Sequence, residues 1–158
     1  MHGKIFQITK EKYNESAWIS SDDYYDHWFV GAIADYVSDD VDRKECIEWL
    51  KTSLNGAINI RGNILTIVDK GKYFERKFAE FREQLDALTK ISAEQFMGNE
   101  PSDIDMTVYR LKEAYDDKYG YYVDDCGEWG GLGTFDDFMR RSTNGERYYI
   151  GGIVDYHF

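Results

Sequence analysis

The sequence predicts an α+β fold, with helices packed on a mainly antiparallel sheet, and three observations predict it. Apolar residues recur at helical spacing in several separate stretches. Between those stretches lie short runs rich in Ile, Val and Tyr, bounded by glycine turns. The resulting order, β-α-α-β-β-α-α-β-α-β, lacks the regular alternation of a doubly wound sheet. A chain of 158 residues with 16% aromatics has the length and the rings for a packed core. Residues 1–158 are therefore expected to form a single α+β domain of about five strands and four to five helices.

Gly3 to Lys10 alternates apolar and polar residues briefly and is expected to be the opening strand. From Ser21 the spacing of Tyr25, Phe29 and Ile33 predicts a helix whose inner face extends to Tyr36 and Val37. A second helix is expected from Val41 to Leu54, with Ile47, Leu50 and Leu54 inward and Trp49 buried beside them, stopped by Asn55-Gly56. Ala57 to Ile60 and Asn63 to Val68 read as a hairpin about Arg61-Gly62. The longest helix is predicted over Lys72 to Lys90, with Phe74, Phe78, Phe81, Leu85 and Leu88 on one stripe. Ser92-Ala93-Glu94-Gln95 has capping-box spacing for a short turn before Gly98. Ser102 or Asp103 then caps a helix carrying Ile104, Val108, Leu111 and Tyr115. A strand over Tyr119 to Val123, a glycine-rich loop over Gly127 to Gly133 and a short helix from Thr134 to Arg141 follow. Asn144-Gly145 is a turn, and Arg147 to Phe158 is a last strand interrupted by Gly151-Gly152.

The acids are unevenly placed. Of 30 Asp and Glu, ten lie between Glu15 and Glu48 against only Arg43 and Lys44. Ten more lie between Asp103 and Asp137 against Arg110, Lys112 and Lys118, whereas Lys51 to Lys90 is mildly basic. A net charge of −11 repels nucleic acid and attracts basic partners. The longest apolar runs fall short of a membrane span, and the N-terminus lacks a signal-peptide core, which points to a cytoplasmic protein. Two cysteines, Cys46 and Cys126, do not make a disulfide framework.

Most of these acids have ordinary explanations as solvated charge. Asp22, Asp23 and Asp26 sit where a helix macrodipole favours anions, Asp39 or Asp40 is placed to cap the next helix, and Thr134-Phe135-Asp136-Asp137 resembles a capping box. Asp116-Asp117 differs, because it closes a predicted helix at the end that disfavours anions, with Asp124-Asp125 a few residues later. Tyr119, Tyr121 and Tyr122 lie between the two pairs. A choice that is locally unfavourable marks a candidate functional site.

Carboxylates in rows can enter a basic nucleic-acid channel, and Tyr and Trp are favoured interface anchors. Trp18, Trp28, Trp49 and Trp129 are the candidate indoles, Trp129 being either presented by its glycine loop or closed as a lid on the core. No metal is expected: Asp116 to Glu128 misses calcium-loop spacing, and the cysteines lack a zinc nucleus. The glycine loop fits neither a phosphate loop nor a dinucleotide fingerprint, so no cofactor is expected. Cys126 with His27 or His157, or a carboxylate pair, is the alternative for a small hydrolase. The end near Asp155-Tyr156-His157-Phe158 is a candidate open edge for a homodimer.

Ser21-Asp22-Asp23-Tyr24-Tyr25-Asp26, Tyr115-Asp116-Asp117-Lys118-Tyr119 and Tyr121-Tyr122-Val123-Asp124-Asp125 give the chain a particular character. In composition and charge layout, though not in any alignable motif, it resembles the small acidic inhibitors that phages and mobile elements make against restriction or CRISPR nucleases. The resemblance implies a non-enzymatic protein that occludes the basic nucleic-acid-binding surface of such an enzyme. The expected partner-binding residues are Asp116, Asp117, Tyr119, Tyr121, Tyr122, Asp124, Asp125 and Trp129, with Asp22, Asp23 and Asp26. An immunity protein or antitoxin against a basic toxin is the same physics with another partner.

Overall fold

The computed structural model describes residues 1–98 and 102–158. The fold is α+β, and among the described residues it has six helices and a seven-stranded, mostly antiparallel sheet, larger than the sequence suggests. The strands are β1 (His2–Thr9), β2 (Tyr36–Ser38), β3 (Ile58–Arg61), β4 (Ile64–Ile67), β5 (Tyr122–Asp124), β6 (Leu132–Thr134) and β7 (Arg147–His157). The helices are α1 (Phe29–Ala32), α2 (Arg43–Ser53), α3 (Lys70–Thr89), α4 (Ala93–Met97), α5 (Ser102–Tyr115) and α6 (Phe135–Arg141). The sheet runs β3-β4-β7-β1-β5-β6, with β2 also on β7. β1 lies antiparallel to β7 and parallel to β5, the one parallel pair among the named strands.

β7 is continuous through Gly151-Gly152, because both glycines make room for neighbours. A Cβ on Gly151 would stand 2.2 Å from the Gln7 amide oxygen, and one on Gly152 would stand 2.5 Å from the Ile19 carbonyl. Along its outer edge β7 pairs with β4 at Arg147–Tyr149 and with β2 at Asp155–His157. In the gap, Arg43 turns inward and donates to the carbonyls of Ile150 and Gly151 at 2.9 and 3.0 Å. Buried backbone acceptors need such partners. The C-terminal end of β7 is thus paired on both sides, which corrects the expectation of an open edge at Asp155 to Phe158; β2 lies outside it.

The core has two parts. Phe6, Ile8, Leu50, Leu65, Ile67, Phe138 and Tyr148 fill the larger one, under α2 and α6. Ile5, Tyr24, Phe29, Tyr122, Val154 and Tyr156 fill the smaller one, where Phe29 meets Tyr122 and Tyr156 edge-on at 4.7 and 5.1 Å.

The helix expected from Ser21 to Val37 does not form. Ser21–Tyr24 is a 3-10 turn, Val30 is extended, and Gly31 has φ 94°, so α1 is one irregular turn before β2. Gly31 supplies the left-handed step at low cost, and pairing of Tyr36–Ser38 with β7 competes with continued helix. β6 takes Leu132 and Gly133 from the expected glycine loop and Thr134 from the expected start of the next helix into a strand.

α2 is capped by Asp42, not by Asp39 or Asp40: its side chain accepts from the Glu45 amide. α3 is capped by Asp69 and α4 carries the expected Ser92–Gln95 capping box. The side chain of Ser102, one of the two expected caps of α5, lies outside the described residues. α3 and α5 pair as a helical arm in which no residue of α3 is fully buried.

Candidate functional site

The acids of the N-terminal segment gather on one surface. Ser20 and Asp23 form a capping box, and Ser21 donates through both its amide and its hydroxyl to the two oxygens of Asp39, each at 2.7 Å. Those bonds join the turn bearing Asp22, Asp23 and Asp26 to the turn bearing Asp39 and Asp40. All five acids are exposed, and among the described residues none lies in an ion pair. Arg43, one of only two cations in the segment, is withdrawn: it bonds β7 and stacks over Trp18 at 4.5 Å. In the same stretch of chain, Tyr25, between Asp23 and Asp26, is 82% exposed, and Trp28, two residues after Asp26, is 57% exposed. Tyr36 is exposed as well, and it stacks on His157 at 5.1 Å.

The sequence places Asp22, Asp23 and Asp26 in this set. It misplaces Tyr25, which helical spacing assigns to the inner face, and it assigns Asp39 and Asp40 to capping. The readable signal was their charge: from Asp22 to Asp40 the chain carries six acids and no Lys or Arg. The sixth, Asp35, lies 3.4 Å from the His157 ring.

The second expected cluster divides among other tasks. Asp116 accepts from the Thr134 hydroxyl at 3.2 Å. The amide of Asp117 donates to Asp136, and its carboxylate accepts from the Tyr119 amide at 3.1 Å. Burial raises the Asp117 carboxyl, opposed by Lys77. Asp124 accepts from the Tyr24 hydroxyl at 2.6 Å and from the Cys126 amide. Asp125 is 1% exposed, and its two oxygens take the amides of Gly127, Trp129 and Gly131. It is the anchor of the glycine loop. Tyr122 is buried, Tyr121 is half-buried against Phe6, and Tyr119 stacks on Phe158 at 4.7 Å. Acids and rings that are close in sequence are thus used to hold the fold.

Trp129 is 43% exposed but held in place. Its ring meets Tyr148 edge-on at 5.8 Å, Lys10 lies over both rings, and Arg141 donates to its carbonyl at 3.1 Å. Glu128 accepts from the Lys10 amide, fastening the loop to the end of β1.

Apart from these features, a cleft of about 520 Å³ opens between α2, α3 and the β5–β6 region. Its floor is a buried network in which Asp136 accepts from the Tyr73 hydroxyl at 2.7 Å and from Lys77 at 3.0 Å. Burial, and then the Asp136 charge, push the Tyr73 phenol well above its ordinary range. Trp49, expected in the core, is 46% exposed and walls this cleft with Tyr121, the rings 4.7 Å apart.

Cys126 accepts from the Gln7 amide at 3.1 Å, and burial foremost raises its thiol. His27 accepts from the Phe29 amide and His157 lies between Tyr36 and Asp35, so neither imidazole is hydrogen-bonded to the sulfur. Among the described residues no group of three or more His, Cys, Asp or Glu is placed to hold a metal ion, and no helix is long and apolar enough to cross a membrane.

No protein-family model, curated protein or solved structure matches the chain. Its chemistry has to be read from its own surface.

Proposed function

We propose that the chain is a non-enzymatic binding protein that inhibits a nucleic-acid-processing enzyme, of restriction or CRISPR type, by covering its basic nucleic-acid-binding surface. The observation that carries this reading is the set of exposed, unpaired acids Asp22, Asp23, Asp26, Asp39 and Asp40, on two turns joined by the Ser21–Asp39 bonds, with the exposed rings of Tyr25 and Trp28 in the same segment. Unpaired carboxylates steer a Lys/Arg-rich surface into contact, and desolvated aromatic rings supply affinity once contact is made. Arg43 is held by the β7 carbonyls and forms no ion pair with these acids. Asp116, Asp124 and Asp125 serve this reading indirectly, by fixing the frame on which the surface sits. Two free thiols suit the reducing cytoplasm in which such a partner works.

The test is capture from host lysate at low and high salt, followed by an assay of the retained enzyme's nucleic-acid cleavage with the protein added back. Salt-sensitive capture and inhibition, both abolished by Asp22→Lys with Asp26→Lys and Asp40→Lys, are expected. Inhibition unchanged by those three substitutions would remove this surface from the function.

A further inference from the structure

The cleft between α2, α3 and β5–β6 is independent of the acidic surface and differs from it in sign. Its rim carries Lys72 and Arg76, one helical turn apart on α3. Lys77 below them is already neutralised by Asp136, which is 2% exposed. Lys72 has no carboxylate within ion-pair distance among the described residues, and Asp69, three residues before it, is used as the helix cap. Arg76 pairs through Nε with Glu80 at 3.1 Å, and its side chain is 88% exposed. In a chain of charge −11, Lys72 is thus a cation at a cleft that is not spent on the protein's own acids, and Arg76 is shared with only one of them.

The walls are aromatic. Trp49 and Tyr121 form one side, and Phe135 with Leu54 and Ala57 gives the cleft an apolar lining. Asp117 contributes one carboxylate oxygen that takes the Tyr119 amide and a second that takes no hydrogen bond among the described residues. The side chain of Lys72 runs over Gly56, whose φ of 86° and missing Cβ leave it that path; a methyl there would stand 3.3 Å from the lysine Cδ.

An unpaired lysine and a singly paired arginine at the mouth, flat rings along one wall and a free acceptor inside are the complement of one kind of molecule. We propose that this cleft binds a small ligand consisting of a flat ring with an N–H or O–H donor and a phosphate or carboxylate group. The acidic group pairs with Lys72 and Arg76, the ring lies against Trp49, and the donor reaches Asp117. The volume suits such a ligand, since small-molecule sites run from about 300 to 1,000 Å³.

The test uses the whole protein with two probes, AMP and 4-hydroxybenzoate, which separate a phosphate source from a carboxylate source. Calorimetric titration at millimolar probe, with the Trp49 indole N–H followed by NMR, is expected to give saturable binding of one probe and a shift of that resonance. The exposed-residue variant Lys72→Ala with Arg76→Ala is expected to keep its melting temperature and to bind at least about tenfold more weakly, as loss of charge-assisted contacts requires. Absence of saturable binding by either probe would overturn the proposal. So would binding that the double variant leaves unchanged.

Discussion

The hydroxyl of Tyr24 donates to Asp124 at 2.6 Å, across 100 residues of chain. This bond ties the turn that carries the exposed acids to the end of β5, and Tyr24 is itself buried among Ile5, Phe29 and Tyr156. The acidic surface is therefore held by a buried phenol whose acceptor is one of the acids that the sequence assigns to a partner.

Removing that hydroxyl leaves a part-buried carboxylate oxygen without its donor. Tyr24→Phe is expected to lower unfolding stability by about 1–3 kcal/mol. Chemical denaturation checks the value. A change below the measurement error would show that water replaces the phenol without loss.

Asp125 and Asp22 lie in the same kind of acid pair in sequence but differ completely in environment. Asp125→Ala strips the acceptor from three amides of the glycine loop and is expected to cost about 1–3 kcal/mol and to move Trp129 fluorescence toward that of a solvated indole. Asp22→Ala, at an exposed position, is expected to stay within about 0.5 kcal/mol of the wild type. Equal losses at the two sites would contradict this division between frame and surface.

What could be read from the sequence follows from how local each signal is. The β3–β4 hairpin, α2, α3 and the Ser92 capping box rest on turn glycines, caps and apolar period, and they form where those signals lie. The segment from Ser21 to Val37 has helical spacing too, yet Tyr24, Phe29 and Ala34 are buried through contacts with β5 and β7, which no local pattern announces. Asp116-Asp117 is unfavourable at a helix end only while α5 is considered alone. Thr134 and the Tyr119 amide supply the missing donors. Trp49 looks buried beside Ile47 and Leu50, but the helix turns it toward the cleft, whose facing ring, Tyr121, comes from a distant part of the chain.

The tyrosines make a prediction about alkaline pH. Burial is the largest cause in each of five cases: it pushes Tyr122 and Tyr148 up to about 12, and it raises Tyr24, Tyr73 and Tyr156 well above the ordinary range. In the unfolded chain these phenols ionise near pH 10, while the folded chain keeps their protons. Above about pH 10 the unfolded state thus binds fewer protons, and stability falls as pH rises toward and through the folded values. Urea midpoints are expected to show no tyrosine-linked change below that point and to drop steeply above it, with tyrosinate absorbance rising in step with unfolding. Midpoints that hold at high pH would mean that these phenols ionise within the fold.

Gln7 offers the sharpest test of how β1 and β7 are joined. It is fully buried, and its amide makes four contacts: it donates to the Ala17 carbonyl and the Cys126 sulfur and accepts from the amides of Ile19 and Gly152. Gln7→Met keeps much of the volume and removes all four, so a loss of roughly 2–4 kcal/mol is expected. Gly151→Ala attacks the same place from the facing strand, because the new methyl would stand 2.2 Å from the Gln7 oxygen. Its backbone is not in the left-handed region, so the cost there is collision alone. Once Gln7 is shortened to Ala, the obstacle is gone, and Gly151→Ala is expected to cost much less than it does in the wild type. Additive losses in that double-mutant cycle would mean that the glycine is required for a reason other than the glutamine it faces.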